Sequence, residues 1–214
     1  MRALIASGAG RYADPWHPFA AKSARLADVL REGGFDAEID DDVDAAMRRL
    51  GDVDLLVVNA GDPWRTDGAR AGADPASVDG LRQALRRGIG VLAVHTAVAS
   101  LRDYPAWGAA LGALWLPGLS YHPPRGPTRV EVTAAGLRSF ELDDERYCRL
   151  QPVGDRTVVA WHEGDGSPEP AAWTVRHGCA RIAVDVLGHD ALSYEHTGHR
   201  ALLTHLARWA VRIV

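Results

Sequence analysis

Gly90-Val91-Leu92-Ala93-Val94-His95-Thr96 decides the fold: a short apolar run, opened by glycine and stopped at a histidine. Runs of this length with β-branched members suit a strand buried on both faces, and such strands belong to parallel sheets. Working back from it, Ser77 to Arg87 has helical spacing and is closed by Gly88, and Val53 to Asn59 is a second buried run. Before those, Ala3 to Ser7 reads as a strand and Ala20 to Arg31 as a helix stopped by Gly33-Gly34. Phe35 to Ile39 follows as a strand and Asp44 to Leu50 as a short helix, with Asp40-Asp41-Asp42-Asp44 as a strand end, an N-cap and a first turn. The first half is therefore βαβαβαβ, and right-handed crossovers put helices on both faces of a parallel sheet.

Forward of the deciding stretch the pattern loosens. Thr128 to Thr133 and Thr157 to Trp161 alternate like antiparallel or edge strands, with Pro117, Pro123, Pro124 and Pro127 marking loop. Arg181 to Leu187 returns as an apolar strand, and Gly198 to Val211 closes the chain as a helix. With 214 residues, 47% hydrophobic, and no linker or repeat, the chain reads as one domain over 1–214.

Composition excludes several classes. Lys plus Arg number 24 against 28 Asp plus Glu, a net charge of -4, which argues against nucleic-acid binding and a polybasic membrane surface. Apolar runs are too short for a membrane span, and Met1 to Ala6 lacks a secretory core, so the expected compartment is the cytoplasm. Cys148 and Cys179 offer neither a disulfide framework nor a thiolate zinc site. Lys22, the only lysine, has no P-loop around it and reads as part of a solvated helix face. Gly8-x-Gly10-x-x-Ala13 matches the dinucleotide pattern loosely, but Pro15 and Pro18 postpone the helix, so no nucleotide is expected. No Gly-x-Ser-x-Gly elbow exists.

Ligands of such sheets bind outside the carboxyl ends of the strands. The loops there carry Asp14-Pro15-Trp16-His17-Pro18, Asn59-Ala60-Gly61-Asp62-Pro63-Trp64, His95-Thr96 and Gly188-His189-Asp190. His17, His95 and His189 each follow a strand end, and this coincidence marks a candidate site. Taken alone, His95 also reads as a cap of a helix starting at Thr96, and His189 as a turn histidine held by its neighbouring carboxylate. Read as functional, His95 sits at a tight turn where the following helix N-terminus disfavours its protonated form. Trp16 and Trp64 offer aromatic faces for a sugar ring. His17, His95 and His189 are candidate ligands for a divalent metal, although no HExxH or CxxC spacing exists.

Gly90 to His95, Leu111-Gly112 leading to Tyr121-His122-Pro123, Leu142-Asp143-Asp144-Glu145-Arg146-Tyr147, Pro170 to Trp173, Gly188-His189-Asp190 and Tyr194-Glu195-His196 resemble, in order, the trehalose-utilisation (ThuA-like) family. The resemblance runs from about Leu4 to Trp209. It implies a flavodoxin-like three-layer α/β sandwich with a mainly parallel central sheet, related to class I glutamine amidotransferases. His95 would stand at the elbow where an amidotransferase has cysteine. It implies carbohydrate utilisation, on a sugar, keto-sugar or disaccharide, and points to His17, His95, His122, Glu145, His189 and His196. The family's acidic-Leu-Tyr signature reads Glu145-Arg146-Tyr147 here, and Thr133 to Leu137 lacks its His-Pro. The combined expectation assigns catalysis to His95, His189, His122 and Glu145, and substrate contact to Trp16, His17, Asn59, Asp62, Asp190, Tyr194 and His196. The partner expected is a small carbohydrate, with homo-oligomerisation compatible. An enzyme, hydrolase, lyase or isomerase, is the leading reading and a non-catalytic sugar-binding domain the alternative.

Overall fold

Apolar runs with alternating inward contacts dictate a central sheet in the computed structural model, which describes residues 1–65 and 72–213. Its strands in chain order are β1 (Arg2–Ser7), β2 (Asp36–Asp40), β3 (Leu55–Asn59), β4 (Gly90–Val94), β5 (Ala113–Leu114), β6 (Gly126–Val132), β7 (Phe140–Asp144), β8 (Gln151–Pro152), β9 (Thr157–Glu163), β10 (Pro168–His177) and β11 (Ala180–Asp185). The helices are α1 (Phe19–Glu32), α2 (Val43–Arg48), α3 (Pro75–Arg87), α4 (Pro105–Ala110) and α5 (Thr197–Ala210). Nine strands form one sheet in the order β2-β1-β3-β4-β11-β10-β9-β6-β7, while β5 and β8 pair separately. The five strands from β2 to β11 are parallel, and the remaining four extend the sheet antiparallel.

The five-strand part has the flavodoxin order 2-1-3-4-5, whose switch point lies between β1 and β3. Every residue of β3 and β4 is buried, as their unbroken apolar runs require. Successive side chains divide between two cores. Leu4, Leu56, Val58, Val91 and Val184 join Met47 of α2 and Leu81 of α3 on one face. Ile5, Leu55, Val57, Leu92 and Ala183 join Leu26 of α1 and Leu206 of α5 on the other. The result is three layers. Among the described residues no helix is long and apolar enough to cross a membrane.

Local signals account for the helix ends. Asp42 caps α2 by accepting the Ala45 N–H at 2.9 Å, and Gly88 ends α3 at φ 93°. Gly10–Tyr12 is a 3-10 turn and α1 starts only at Phe19, so the glycines at 8 and 10 do not open onto a helix. Lys22 corrects the solvated reading: it is wholly buried, and its Nζ has no hydrogen-bond partner among the described residues. It lies in the first turn of α1, where side chains lean back toward the helix N-terminus, here toward the loop carrying His17.

Candidate active site: three imidazoles and a carboxylate

His95 leaves β4 with φ 47°, a left-handed conformation rare outside glycine and one that stores strain at functional turns. The element that follows is a single 3-10 turn, His95–Val98, not the helix expected at Thr96. His95 does not cap it. The ring turns the other way: Nδ1 donates to Val186 O at 2.9 Å, across to the strand-exit loop of β11. Nε2 is met by Tyr147 Oη at 3.1 Å, His17 Nε2 at 3.2 Å and Glu145 Oε2 at 3.5 Å. Burial, more than any helix dipole, pushes the His95 imidazole down to about 4, with Glu145 opposing.

His17 is set by Asp14. The Asp14 carboxylate accepts the backbone N–H groups of Trp16 and His17, each at 2.9 Å, and both its oxygens lie 2.8 Å from His17 Nδ1. Burial lowers the His17 pKa further than Asp14 raises it, so the ring is neutral near pH 7. His189 follows Gly188, whose φ of 97° and close packing under the Tyr194 phenol leave no room for a Cβ. Its Nδ1 lies 3.2 Å from Glu145 Oε2 without hydrogen-bond alignment. Burial works against ionisation of Glu145, but the imidazoles of His189 and His95 outweigh it and hold the carboxyl well below the usual range.

Asp144, the residue before Glu145, holds these pieces in register. It is 1% exposed and accepts from Gly188 N (2.7 Å), His189 N (3.0 Å), Glu145 N (2.9 Å) and Ser193 Oγ (2.5 Å). Behind it His199 Nδ1 lies 2.9 Å from Ser193 O, and Nε2 lies 2.6 Å from Asp185 Oδ2. Burial opposes protonation of His199, yet Asp185 raises its pKa above the ordinary histidine value. Ser193, His199 and Asp185 resemble a hydrolytic triad in types alone. The serine is buried and spends its proton on Asp144.

Of the residues expected at the site, His17, His95, Glu145 and His189 come together; one donor atom from each lies within 4.8 Å of the others. The ring centroids of His17, His95 and His189 are 4.9–5.7 Å apart. His122 stands at the mouth, its Nδ1 3.5 Å from Glu145 Oε1 and its ring near Trp115. Trp16 is 59% exposed on the rim, under the guanidinium of Arg65.

The other residues expected to touch substrate are engaged in burial or local bonding. Asn59, the last residue of β3, is fully buried and donates to Phe19 O and Ser23 Oγ, tying α1 to the sheet beneath the site. Tyr194 is fully buried with its hydroxyl on Gly188 O. His196 caps α5, accepting from Gly198 N at 3.2 Å, and stacks on Phe140. Asp62 is bound to Arg102 at 2.8 Å, and Asp190 is paired with Arg125. Sequence reasoning assigned no role to Asp14, Tyr147 or Asp144. Asp14 alone left a local signal, an acid three residues before a rim histidine with a proline between.

The arrangement offers two neutral imidazoles with accepting Nε2 atoms, a third imidazole and an ionised carboxylate. Electron-pair donors so placed accept a substrate proton or ligate a cation.

Comparison with known proteins agrees with the fold. A ThuA-like protein of Parabacteroides merdae superposes with a TM-score of 0.78 at 18% identity, covering 98% of this chain and 89% of that one. A ThuA-like protein of Bacteroides uniformis gives 0.69 at 17% identity, over 98% and 90% of the two chains. A cytoplasmic protein of Salmonella typhimurium LT2 gives 0.64 at 13%, over 97% and 99%. No curated protein matches in sequence. The family model described as trehalose utilisation, ThuA, matches residues 2–210. The chain belongs to the ThuA trehalose-utilisation family.

Proposed function

We propose that this protein is an enzyme of carbohydrate utilisation that acts on a sugar, keto-sugar or disaccharide at the His17, His95, His189 and Glu145 cluster. One observation carries the reading: four separate loops deliver these groups into mutual contact, with Asp14 and Val186 O orienting two of the rings. A merely structural histidine needs none of that convergence. A polyhydroxylated substrate presents hydroxyl and carbonyl oxygens. Neutral imidazoles suit proton removal beside a carbonyl, or its polarisation through a bound cation, and an ionised carboxylate stabilises the positive charge that develops on them. His122 at the mouth is placed for a second proton transfer, and Trp16 for stacking on a ring face.

The test is incubation with unmodified and oxidised disaccharides, followed by product analysis. His95→Asn is the informative variant, because asparagine tolerates the left-handed backbone and its amide can still donate to Val186 O. It should lower turnover about 100-fold or more while leaving the melting temperature nearly unchanged. Binding without conversion by the wild-type protein would assign the pocket to sugar recognition instead.

A further inference from the structure

We infer that His17, His95, His189 and Glu145 form a site for one divalent first-row transition-metal ion of the zinc class. The inference deepens the functional reading above, on which it rests for the use made of the ion.

Partners dictate the tautomers. A carbonyl oxygen only accepts, so His95 Nδ1, 2.9 Å from Val186 O, carries the ring proton. A carboxylate likewise only accepts, so His17 Nδ1, 2.8 Å from both Asp14 oxygens, carries the other. In neutral rings both Nε2 atoms then hold lone pairs, and they stand 3.2 Å apart. Two lone pairs at that distance repel unless an electron-pair acceptor lies between them.

The other two donors face the same point. Glu145 Oε2 is 3.5 Å from His95 Nε2 and 3.2 Å from His189 Nδ1, a buried nitrogen without a hydrogen-bond partner among the described residues. Bonds of about 2.0–2.1 Å around a tetrahedral ion make ligand-to-ligand edges of roughly 3.3–3.4 Å, which three of the six donor spacings, at 3.2, 3.2 and 3.5 Å, straddle, all four atoms lying within 4.8 Å of one another. A carboxylate and a carbonyl on the far nitrogens are the partners that orient metal-bound histidines. Three imidazoles with one carboxylate favour zinc and its neighbours over magnesium or calcium, which take oxygen ligands. A proton shared by His17 and His95 would relieve their one contact. It would leave unexplained why His189 and Glu145 converge on it. Tyr147 Oη, 3.1 Å from His95 Nε2, donates to that lone pair in the ion-free site and has to release it when an ion binds. An ion held here would polarise a sugar carbonyl or hydroxyl oxygen.

The test uses the whole chain, purified without a histidine tag, stripped with chelator and titrated with Zn²⁺ or Co²⁺ alone. Expected are one ion per chain, visible Co²⁺ bands of a nitrogen-rich low-coordinate site, and a raised melting temperature. Asp14→Asn, which alters only an orienting partner, should weaken binding roughly 10–100-fold. His189→Ala and Glu145→Gln should weaken it more, and His177→Ala, at the β10–β11 hairpin, should not. Circular dichroism confirms that each variant is folded. Uptake well below one ion per chain, or affinity unmoved in both His189→Ala and Glu145→Gln, overturns the inference. The metal titration contains no sugar, so a protein that takes up no ion yet converts sugars in the separate turnover assay refutes this inference alone. A metal-loaded protein that converts none refutes the functional reading alone.

Discussion

Replacing the only lysine with methionine should stabilise the protein, and by an amount that shrinks as pH rises. Lys22 is fully buried and its Nζ finds no hydrogen-bond partner among the described residues. Burial pushes its pKa from 10.5 down to about 7, against the pull of Asp144, Asp14, Glu145 and Asp190. The folded-state pKa lies below the unfolded one, so between pH 7 and 10.5 the unfolded chain binds more protons, and stability climbs with pH across that window. The displacement of about 3.5 pH units corresponds to ~5 kcal/mol at 1.36 kcal/mol per unit. Methionine keeps a straight chain of similar volume without the charge. With about 1–2 kcal/mol conceded to imperfect packing, Lys22→Met should be more stable by about 3 kcal/mol near pH 7. Urea unfolding of chelated wild-type and variant protein at pH 6.5, 7.5, 8.5 and 9.5 reads the effect directly. His199, whose pKa Asp185 raises against burial, contributes with the opposite sign, but it is common to both proteins and cancels in their difference. A variant less stable than wild type at pH 6.5, or a difference that stays constant with pH, would refute the reasoning by showing that the ammonium is compensated.

His95 predicts an acid limb. Its folded pKa of about 4 lies below the ordinary 6.5, so the unfolded chain takes up the proton first, and stability present above pH 6.5 drains away as pH falls toward 4. The loss should approach ~3 kcal/mol in urea midpoints multiplied by an unchanged slope, and His95→Asn should flatten it; an equally steep limb in the variant would assign the loss elsewhere. Asp144→Asn should cost about 3–5 kcal/mol, because an amide cannot accept from four buried donors and leaves His199 facing one carboxylate fewer. A cost under about 1 kcal/mol in the same urea assay would show that the clamp does not hold.

The parallel half of the sheet was legible because its strands are buried on both faces and its helices carry a 3.6-residue period. β3 and β4 needed no distant partner to be recognised. The antiparallel extension was harder: β6 alternates along one half-buried face, and β10 contains Pro168 and Pro170 on ten residues that no simple pattern marks as a strand. At the site, His17, His95 and His189 were legible from position alone, since each lies in the segment that follows a buried parallel strand and such segments share one sheet edge. Glu145 was reached only through family likeness, because it leaves β7, which closes the far edge of the sheet. Asn59 and Tyr194 misled because both are buried, for different reasons: Asn59 ends β3 with its amide turned to α1, and Tyr194 lies in the 3-10 turn Ser193–Glu195 with its hydroxyl on Gly188 O. Lys22 misled more deeply, since a lysine on an amphipathic helix normally reaches water. Here its Nζ lies over the Phe19 ring, within the pull of Asp144 and Asp14.

Two adjacent acids show how this chain assembles a site across a wide sheet. Asp144 and Glu145 occupy consecutive positions where β7 ends, so an extended backbone turns them to opposite sides. The first faces inward, gathers the N–H groups of Gly188 and His189 and rests against Ser193. The second faces the imidazoles and lies against His95, His122 and His189. Anything that shifts the inward acid therefore shifts two site groups together: Glu145 through the chain, and His189 through its backbone. Burial works against the charge on Asp144, which His95, the Ser193 hydroxyl, the His189 N–H and, last, His199 maintain; His199 is itself paired with Asp185. Burying that much charge is costly unless every member is bonded. Here the bonds converge on the one junction where the antiparallel extension meets the loop after β11. The network is thus better explained as the device that registers Glu145 against His95 than as a source of net stability, and the positional readout of Asp144→Asn is the spacing of the site rather than the melting temperature alone.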